Sequence, residues 1–117
     1  MSDLSKEMVK LAYKAMDDKK AEDIRIIDIS GISVVADYFI ICSGNNASQV
    51  EAITDNVTET LGRAGYNSKR AEGNRNSGWI LLDYNDIVVH IFSKDDRLFY
   101  GLERIWKDGR EVKPEEL

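Results

Sequence analysis

The chain contains a single histidine and a single cysteine, which limits the catalytic chemistry that these side chains could support. His90 lies between Val89 and Ile91 in an apolar run, where a packing or partner-facing histidine is more expected than a general base. Cys42 lies in the apolar run YFIICSG, which is typical of a small buried thiol. A lone cysteine allows neither an internal disulfide nor a four-thiolate zinc site, and it indicates a reducing compartment.

Carboxylates are numerous, but their spacing does not indicate a catalytic or metal site. Asp17-Asp18 and Asp95-Asp96 are adjacent pairs near predicted helix ends, and acids in a first helical turn interact favourably with the helix dipole. No predicted strand carries Asp-x-Asp or Asp-x-Glu, with which many phosphoryl-transfer sites hold two magnesium ions. We therefore predict a protein with no catalytic residues, no metal and no cofactor.

The turn CSGNNAS, residues 42–48, is the one candidate for binding a phosphate through backbone N–H groups at a helix N-terminus. It lacks both the G-x-x-x-x-G-K-[ST] and the G-x-G-x-x-G patterns. A strand-to-helix turn in which Gly44 adopts a positive φ explains the same residues, and the pattern does not decide between the two interpretations.

The segment SGWILLDYNDIVVHIF, residues 77–92, predicts a hairpin with Asn85-Asp86 as its two-residue turn. Because side chains alternate along a strand, one wholly apolar set faces the core: Ile80, Leu82, Tyr84, Ile87, Val89 and Ile91. The other face pairs Asp83 with Val88, Leu81 with His90, and Trp79 with Phe92. This second face is either covered by a helix or directed at a partner, since aromatic residues are typical of cores and of interface centres.

Apolar periodicity predicts the elements that position these side chains. A first amphipathic helix ends near residues 17–20 and buries Leu4, Met8, Leu11, Ala15 and Met16. Strands are predicted over 24–30 and 37–44, then a helix over 47–64 with a capping box formed by Ser48 and Glu51, then a short strand over 66–71. The hairpin and a last helix within 95–109 complete the pattern.

This element order predicts an α/β (α+β) fold, with a mixed sheet of four to five strands packed with helices. Residues 1–110 are expected to form one domain, and the polar residues 111–117 a frayed tail. The formal net charge of -5 disfavours binding to a phosphate backbone and suits a basic protein partner. We expect no secretory signal, because the first residues lack its apolar core, and no membrane-spanning segment.

Three stretches resemble the iojap family of ribosomal silencing factors: DYFIICSGNNASQVEAI (37–53), EGNRNSGWILLDYNDIVVHIF (72–92) and RLFYGLERIW (97–106). The resemblance covers nearly the whole chain and implies a nucleotidyltransferase-like core that has lost catalysis. It also implies a cytoplasmic, non-enzymatic factor that binds the large ribosomal subunit through ribosomal protein L14. Such a factor blocks joining of the small subunit, represses translation when nutrients are short, and forms homodimers.

The resemblance places partner binding on the hairpin and the segment after it, at Trp79, Asp83, Tyr84, Asp86, Phe99 and Tyr100. A rigid aromatic surface with an acidic rim has the composition of an interface hot spot. His90 and Phe92 are then expected to be packing residues. Two alternatives stay open: a nucleotidyltransferase-type enzyme using the SGNN turn for phosphates and Asp83 or Asp86 for metal, and a homodimeric adaptor with another partner.

Overall fold

The computed structural model describes residues 3–32, 34, 36–74, 76–94 and 109–117. Over these ranges the elements are α1 (Asp3–Asp18), β1 (Glu22–Asp28), β2 (Tyr38–Gly44), α2 (Ala47–Arg63), β3 (Arg70–Glu72), β4 (Trp79–Asp83), β5 (Ile87–Ser93) and β6 (Arg110–Val112). A single 3-10 turn follows at Pro114–Glu116. The last helix predicted within 95–109 falls on residues that, except for Gly109, lie outside these ranges.

The strands form one sheet in the order β3-β4-β5-β2-β1-β6. The central strands β2 and β5 are parallel, whereas every other neighbouring pair is antiparallel. This arrangement confirms the predicted α+β fold with a mixed sheet. The described sheet has six strands, one more than the highest predicted number, because β6 was not anticipated.

The main core lies between one face of the sheet and the two helices α1 and α2. All six hairpin residues assigned to the core side are at most 5% exposed there, as the alternation predicted. On α2 the predicted stripe is confirmed at Val50, Ile53, Val57 and Leu61. On α1 the predicted stripe is confirmed at Met8, Ala15 and Met16, and it also includes Val9 and Ala12, which were not predicted. Leu11 is only half-buried, and Leu4 is 45% exposed.

The N-terminus of α2 is capped two residues earlier than predicted. Asn46 accepts a hydrogen bond from Gln49 N at 2.8 Å, and Gln49 Oε1 accepts one from Asn45 N at 2.6 Å. The predicted capping box of Ser48 and Glu51 was therefore wrong. Asn46 with Gln49 and Ser48 with Glu51 both have the three-residue spacing of a capping box, so the spacing alone does not choose between the two pairs.

Gly44 ends β2 without a positive φ, so the predicted reason for a glycine at this position was wrong. The structure requires glycine because α2 passes very close to the strand end. A Cβ atom at Gly44 would lie 2.9 Å from Val50 Cγ2 and 3.0 Å from Val50 N. These contacts fix the distance between the start of α2 and the centre of the sheet.

Gly44→Ala is expected to lower the free energy of unfolding by about 1–3 kcal/mol, because the added methyl group overpacks this contact. Gly31→Ala is the matched control, since no atom lies within 4 Å of its Cβ position and its φ is not in the left-handed region. Urea denaturation of both variants measures the difference. Equal stability of the two variants would contradict the close packing of α2 on the strand.

The segment expected to fray contains a strand. β6 pairs antiparallel with β1, with Val112 opposite Ile26. Val112 is 5% exposed and belongs to the main core. Arg25 Nη1 of β1 lies 3.1 Å from Glu111 Oε2, so an exposed ion pair also crosses this edge. The polar composition was misleading because an edge strand of this length needs only one apolar side chain turned inward.

Candidate partner-binding surface

The side of the sheet opposite α1 and α2 carries a second apolar surface, called here the aromatic face. It extends over β4, β5 and β2, where its residues are Phe39, Ile41, Trp79, Leu81, Val88, His90 and Phe92. Its members are not equally accessible. Ile41, Val88, His90 and Phe92 are buried, whereas Phe39, Trp79 and Leu81 are half-buried.

The hairpin that carries most of this face has the predicted register. Trp79 lies opposite Phe92, Leu81 opposite His90, and Asp83 opposite Val88. Asn85 in the turn has a φ of 75°, which asparagine tolerates better than most residues. The two-residue turn is therefore confirmed, and it brings the aromatic residues of the two strands together on one face.

The rings of the aromatic face are packed against one another. Trp79 stacks on Phe92 with centroids 5.4 Å apart and planes at 14°, and Phe39 meets His90 edge-on at 4.7 Å. Offset stacks and edge contacts of this kind each contribute roughly 0.5–1.5 kcal/mol beyond their buried area. The indole of Trp79 is therefore held in place although part of it remains exposed.

Two residues of the aromatic face, Phe92 and His90, are packed inside the protein and are not accessible to a partner. Phe92 is fully buried and His90 is 4% exposed, which confirms the prediction that both are packing residues. Burial lowers the pKa of His90 to about 4, so the imidazole is neutral at physiological pH. Its Nδ1 accepts a hydrogen bond from Trp79 Nε1 at 3.2 Å.

A groove of about 220 Å³ runs beside Trp79 and Leu81 and is bordered by Glu72, Gly73 and Ser77. Gly73 has a φ of 87°, and a Cβ atom there would lie 2.1 Å from Trp79 O. The loop backbone therefore touches β4 where a side chain could not fit. Ser77 Oγ, 2.9 Å from Trp79 O, fixes the loop on the other side of the groove.

Sequence reasoning missed the border of this groove. The Gly, Asn and Ser content of residues 72–78 predicts only a turn. The sequence does contain a signal for this border: Gly73 and Gly78 lie near the two ends of the turn, immediately before Trp79. Glycine marks places where the backbone approaches another group closely, and here that group is the carbonyl of Trp79.

Both of the predicted partner-binding acids lie near this surface. Asp83 is half-buried at the end of β4 on the aromatic face, and its Oδ1 accepts a hydrogen bond from Asn85 N at 2.8 Å. Asp86 is half-buried in the turn, and its carbonyl accepts a hydrogen bond from Asp37 N at 2.8 Å. Together with Trp79 and Leu81, which are also half-buried, they form a strip along the hairpin that ends in two carboxylates.

Of the other three predicted residues, the structure describes Tyr84 alone. Tyr84 lies in the main core, on the opposite side of the sheet, and is 5% exposed. Burial raises its pKa, with the nearby Thr58 acting in the opposite direction. We therefore leave Tyr84 out of the surface proposed below. Phe99 and Tyr100 fall outside the described residues.

The SGNN turn, the predicted phosphate candidate, is used for capping α2. The N–H group of Asn45 already donates to the side chain of Gln49 in α2, and the N–H group of Gln49 donates to the side chain of Asn46, so a phosphate would have to displace these acceptors. Across the part of the chain that the structure describes, no group of three His, Cys, Asp or Glu side chains could hold a metal ion. Over the same part, no helix has the length and apolar character needed to cross a membrane.

The fold and surface together define a small α+β domain whose sheet is covered by helices on one face and is aromatic on the other. A family model described as "Ribosomal silencing factor during starvation" matches residues 2–117. The chain belongs to this family of ribosomal silencing factors.

Curated relatives match over most of their length. A ribosomal silencing factor of Halalkalibacterium halodurans is 42% identical over 111 residues, 95% of each chain. One of Bacillus subtilis is 47% identical over 104 residues, which cover 89% of this chain and 88% of that protein. The chloroplastic protein Iojap of Zea mays is 29% identical over 99 residues, 85% of this chain and 43% of that protein.

Solved structures share the fold. A crystal structure of a Bacillus halodurans protein superposes with a TM-score of 0.82 at 41% identity, over 92% of this chain and 98% of the other. A Chromobacterium violaceum protein gives a TM-score of 0.83 at 32% identity, over 92% and 88% of the two chains.

Proposed function

We propose that this protein binds the large ribosomal subunit through ribosomal protein L14 and blocks joining of the small subunit, repressing translation when nutrients are limited. The observation that carries the proposal is the family match over residues 2–117. Relatives at 42% and 47% identity are named ribosomal silencing factors. In this role the protein acts in the cytoplasm as a binding factor, without catalysis.

The half-exposed strip of the aromatic face is the contact surface that we propose. Trp79 and Leu81 provide an apolar centre beside a groove, and Asp83 and Asp86 provide an acidic end. Trp is enriched at interface hot spots, and a ring that is already ordered loses little side-chain entropy on binding. The net charge of -5 complements a basic ribosomal protein and favours its rate of association.

Cosedimentation with isolated subunits tests the proposal. The purified chain is centrifuged through a sucrose cushion with large or with small subunits, and we expect it to pellet with the large subunit alone. Crosslinking of the pelleted complex then identifies the contacted ribosomal protein. Recovery of the chain entirely in the supernatant would overturn the proposal, and crosslinks only to a protein other than L14 would overturn the assigned partner.

Blocking of subunit joining needs its own measurement. Large subunits are incubated with the chain, small subunits are added with magnesium, and the products are separated on a sucrose gradient. We expect fewer joined ribosomes and more free subunits as the chain concentration rises. Binding to the large subunit without any change in joining would show an adaptor rather than a silencing factor.

Asp83→Lys is expected to weaken binding to the large subunit by about tenfold, because it reverses a charge at the acidic end facing a basic partner. Asp55→Lys is the matched control, since Asp55 is an exposed residue of α2, which packs on the other side of the sheet. Binding of both variants is measured by cosedimentation at two salt concentrations. Equal weakening by both would indicate that net charge matters and the proposed surface does not.

The enzyme and homodimer expectations are tested separately. Addition of a nucleoside triphosphate with magnesium is expected to leave the melting temperature unchanged, whereas a rise would support the nucleotidyltransferase alternative, because ligands stabilise the state that they bind.

We also propose that the chain forms a homodimer. Light scattering over a range of concentrations measures this, and a constant monomer mass would contradict it.

A further inference from the structure

We propose that His90 is a positioning residue for partner binding, whose Nδ1 holds the indole of Trp79 in the orientation that the partner contacts. The inference rests on the proposed function, because it assigns a role within the proposed contact surface. His90 itself is 4% exposed, so it acts through Trp79 and does not touch the partner.

The geometry of the two rings supports this role. Trp79 lies opposite Phe92, and His90 is therefore its diagonal neighbour on the adjacent strand, within reach of a long side chain. Stacking on Phe92 fixes the plane of the indole, but a ring turned over within that plane would stack equally well. The 3.2 Å hydrogen bond from Trp79 Nε1 to His90 Nδ1 distinguishes the two orientations.

The protonation state of His90 follows from this hydrogen bond. Nδ1 acts as the acceptor, so the neutral imidazole carries its proton on Nε2. Nε2 is buried and has no hydrogen-bond partner in the part of the chain that the structure describes. A buried donor without an acceptor destabilises the folded state.

The position would be filled more stably by an apolar ring. Phe39 and Phe92 pack beside His90 on this face. A phenylalanine at position 90 would keep similar ring contacts and would leave no buried donor unpaired. The imidazole is therefore unfavourable for folding in this environment, and the group it adds is the acceptor that Trp79 uses.

Two variants separate the acceptor from the ring. His90→Phe keeps the ring and removes the acceptor; we expect an unchanged or higher melting temperature and about tenfold weaker binding to the large subunit. His90→Asn places Oδ1 close to the position of Nδ1 and removes the ring; we expect a lower melting temperature and binding within about twofold of wild type. His90→Phe should therefore have the higher melting temperature and the weaker binding, and His90→Asn the lower melting temperature and the stronger binding.

The indole N–H signal in a nitrogen–proton NMR spectrum reports the hydrogen bond directly. The chain has two tryptophans, and Trp79→Phe identifies the signal that belongs to Trp79. In His90→Phe this signal should move toward the position of a water-exposed indole and exchange faster, whereas in His90→Asn it should stay close to wild type. An unchanged signal in His90→Phe would overturn the inference.

The binding results separate this inference from the proposed function. If the wild-type chain does not pellet with large subunits, the proposed function fails and the inference fails with it. If wild type and His90→Phe pellet equally well, only the inference fails. Loss of binding in both variants in proportion to their melting temperatures would show a role in packing alone.

Discussion

Trp79→Ala is expected to weaken binding to the large ribosomal subunit by roughly 30-fold or more, which corresponds to the usual threshold of an interface hot spot, about 2 kcal/mol. The indole borders the groove, is half-exposed, and is held by Phe92 and His90 before any partner arrives. Truncation removes both the contact area and this ordered geometry. A small decrease in melting temperature is also expected, because the stack on Phe92 is lost.

Tyr66→Ala is the matched control for this prediction. Tyr66 is also a half-buried aromatic residue, but it packs against the main core, and its hydroxyl donates a hydrogen bond to Glu7 at 2.5 Å. Cosedimentation at a temperature where both variants are folded, checked by circular dichroism, should show weak binding for Trp79→Ala and wild-type binding for Tyr66→Ala. Similar affinities for the two variants would place the contact surface elsewhere.

Acidification from pH 6.5 to pH 4 is expected to remove roughly 3 kcal/mol from the free energy of unfolding through His90 alone. The pKa of His90 is lowered to about 4 in the folded chain, from its ordinary value of 6.5. Within this window the unfolded chain binds the proton and the folded chain does not. The contribution of His90 to the free energy of unfolding is therefore fully present above pH 6.5, and it decreases as the pH falls toward 4.

Burial is the cause of this shift, and no charged neighbour within the described residues compensates for it. Among those residues, the side chains next to His90 on the aromatic face are apolar or aromatic: Leu81 and Trp79 on β4, Val88 and Phe92 on β5, and Phe39 and Ile41 on β2. An imidazolium ion in this position would lose its hydration and could no longer accept the hydrogen bond from Trp79. The partner-binding geometry and the folded state should therefore be lost together in acid.

Urea denaturation of wild type and His90→Phe across this pH window isolates the contribution. Carboxylates titrate in both proteins, so their effect cancels in the difference between the two curves. The free energy of unfolding should decrease more steeply with falling pH in wild type. Parallel curves would contradict the burial of a neutral imidazole at this position.

The hairpin shows how much of the fold the sequence specifies. Alternation along the two strands and one Asn-Asp turn were sufficient to predict every cross-strand pair, because a shift by one residue would place the apolar set on the wrong face. The same alternation put Trp79 and His90 on one face. It could not show that they share a hydrogen bond, which depends on side-chain rotamers rather than on spacing.

The errors have equally specific origins. Gly44 was recognised as important, but the distance between α2 and the sheet is a tertiary property that no local pattern contains. The β6 strand was missed because a three-residue edge strand has too few residues for a period to be visible. The family resemblance placed Tyr84 among the partner-binding residues, although its place in the alternation already assigned it to the core, where it is 5% exposed.

The short strand β6 pairs with an edge of β1 that would otherwise be open to another molecule. It covers the outer edge of β1, and its pairing extends over only three residues, with ion pairs that solvent and salt weaken. Such a strand can detach at a lower free energy than the whole domain unfolds. Each time it does so, the backbone of β1 around Ile26 becomes available to a strand from another molecule. We therefore expect the lifetime of that opening, more than the stability of the core, to set how readily neighbouring molecules exchange strands at high concentration.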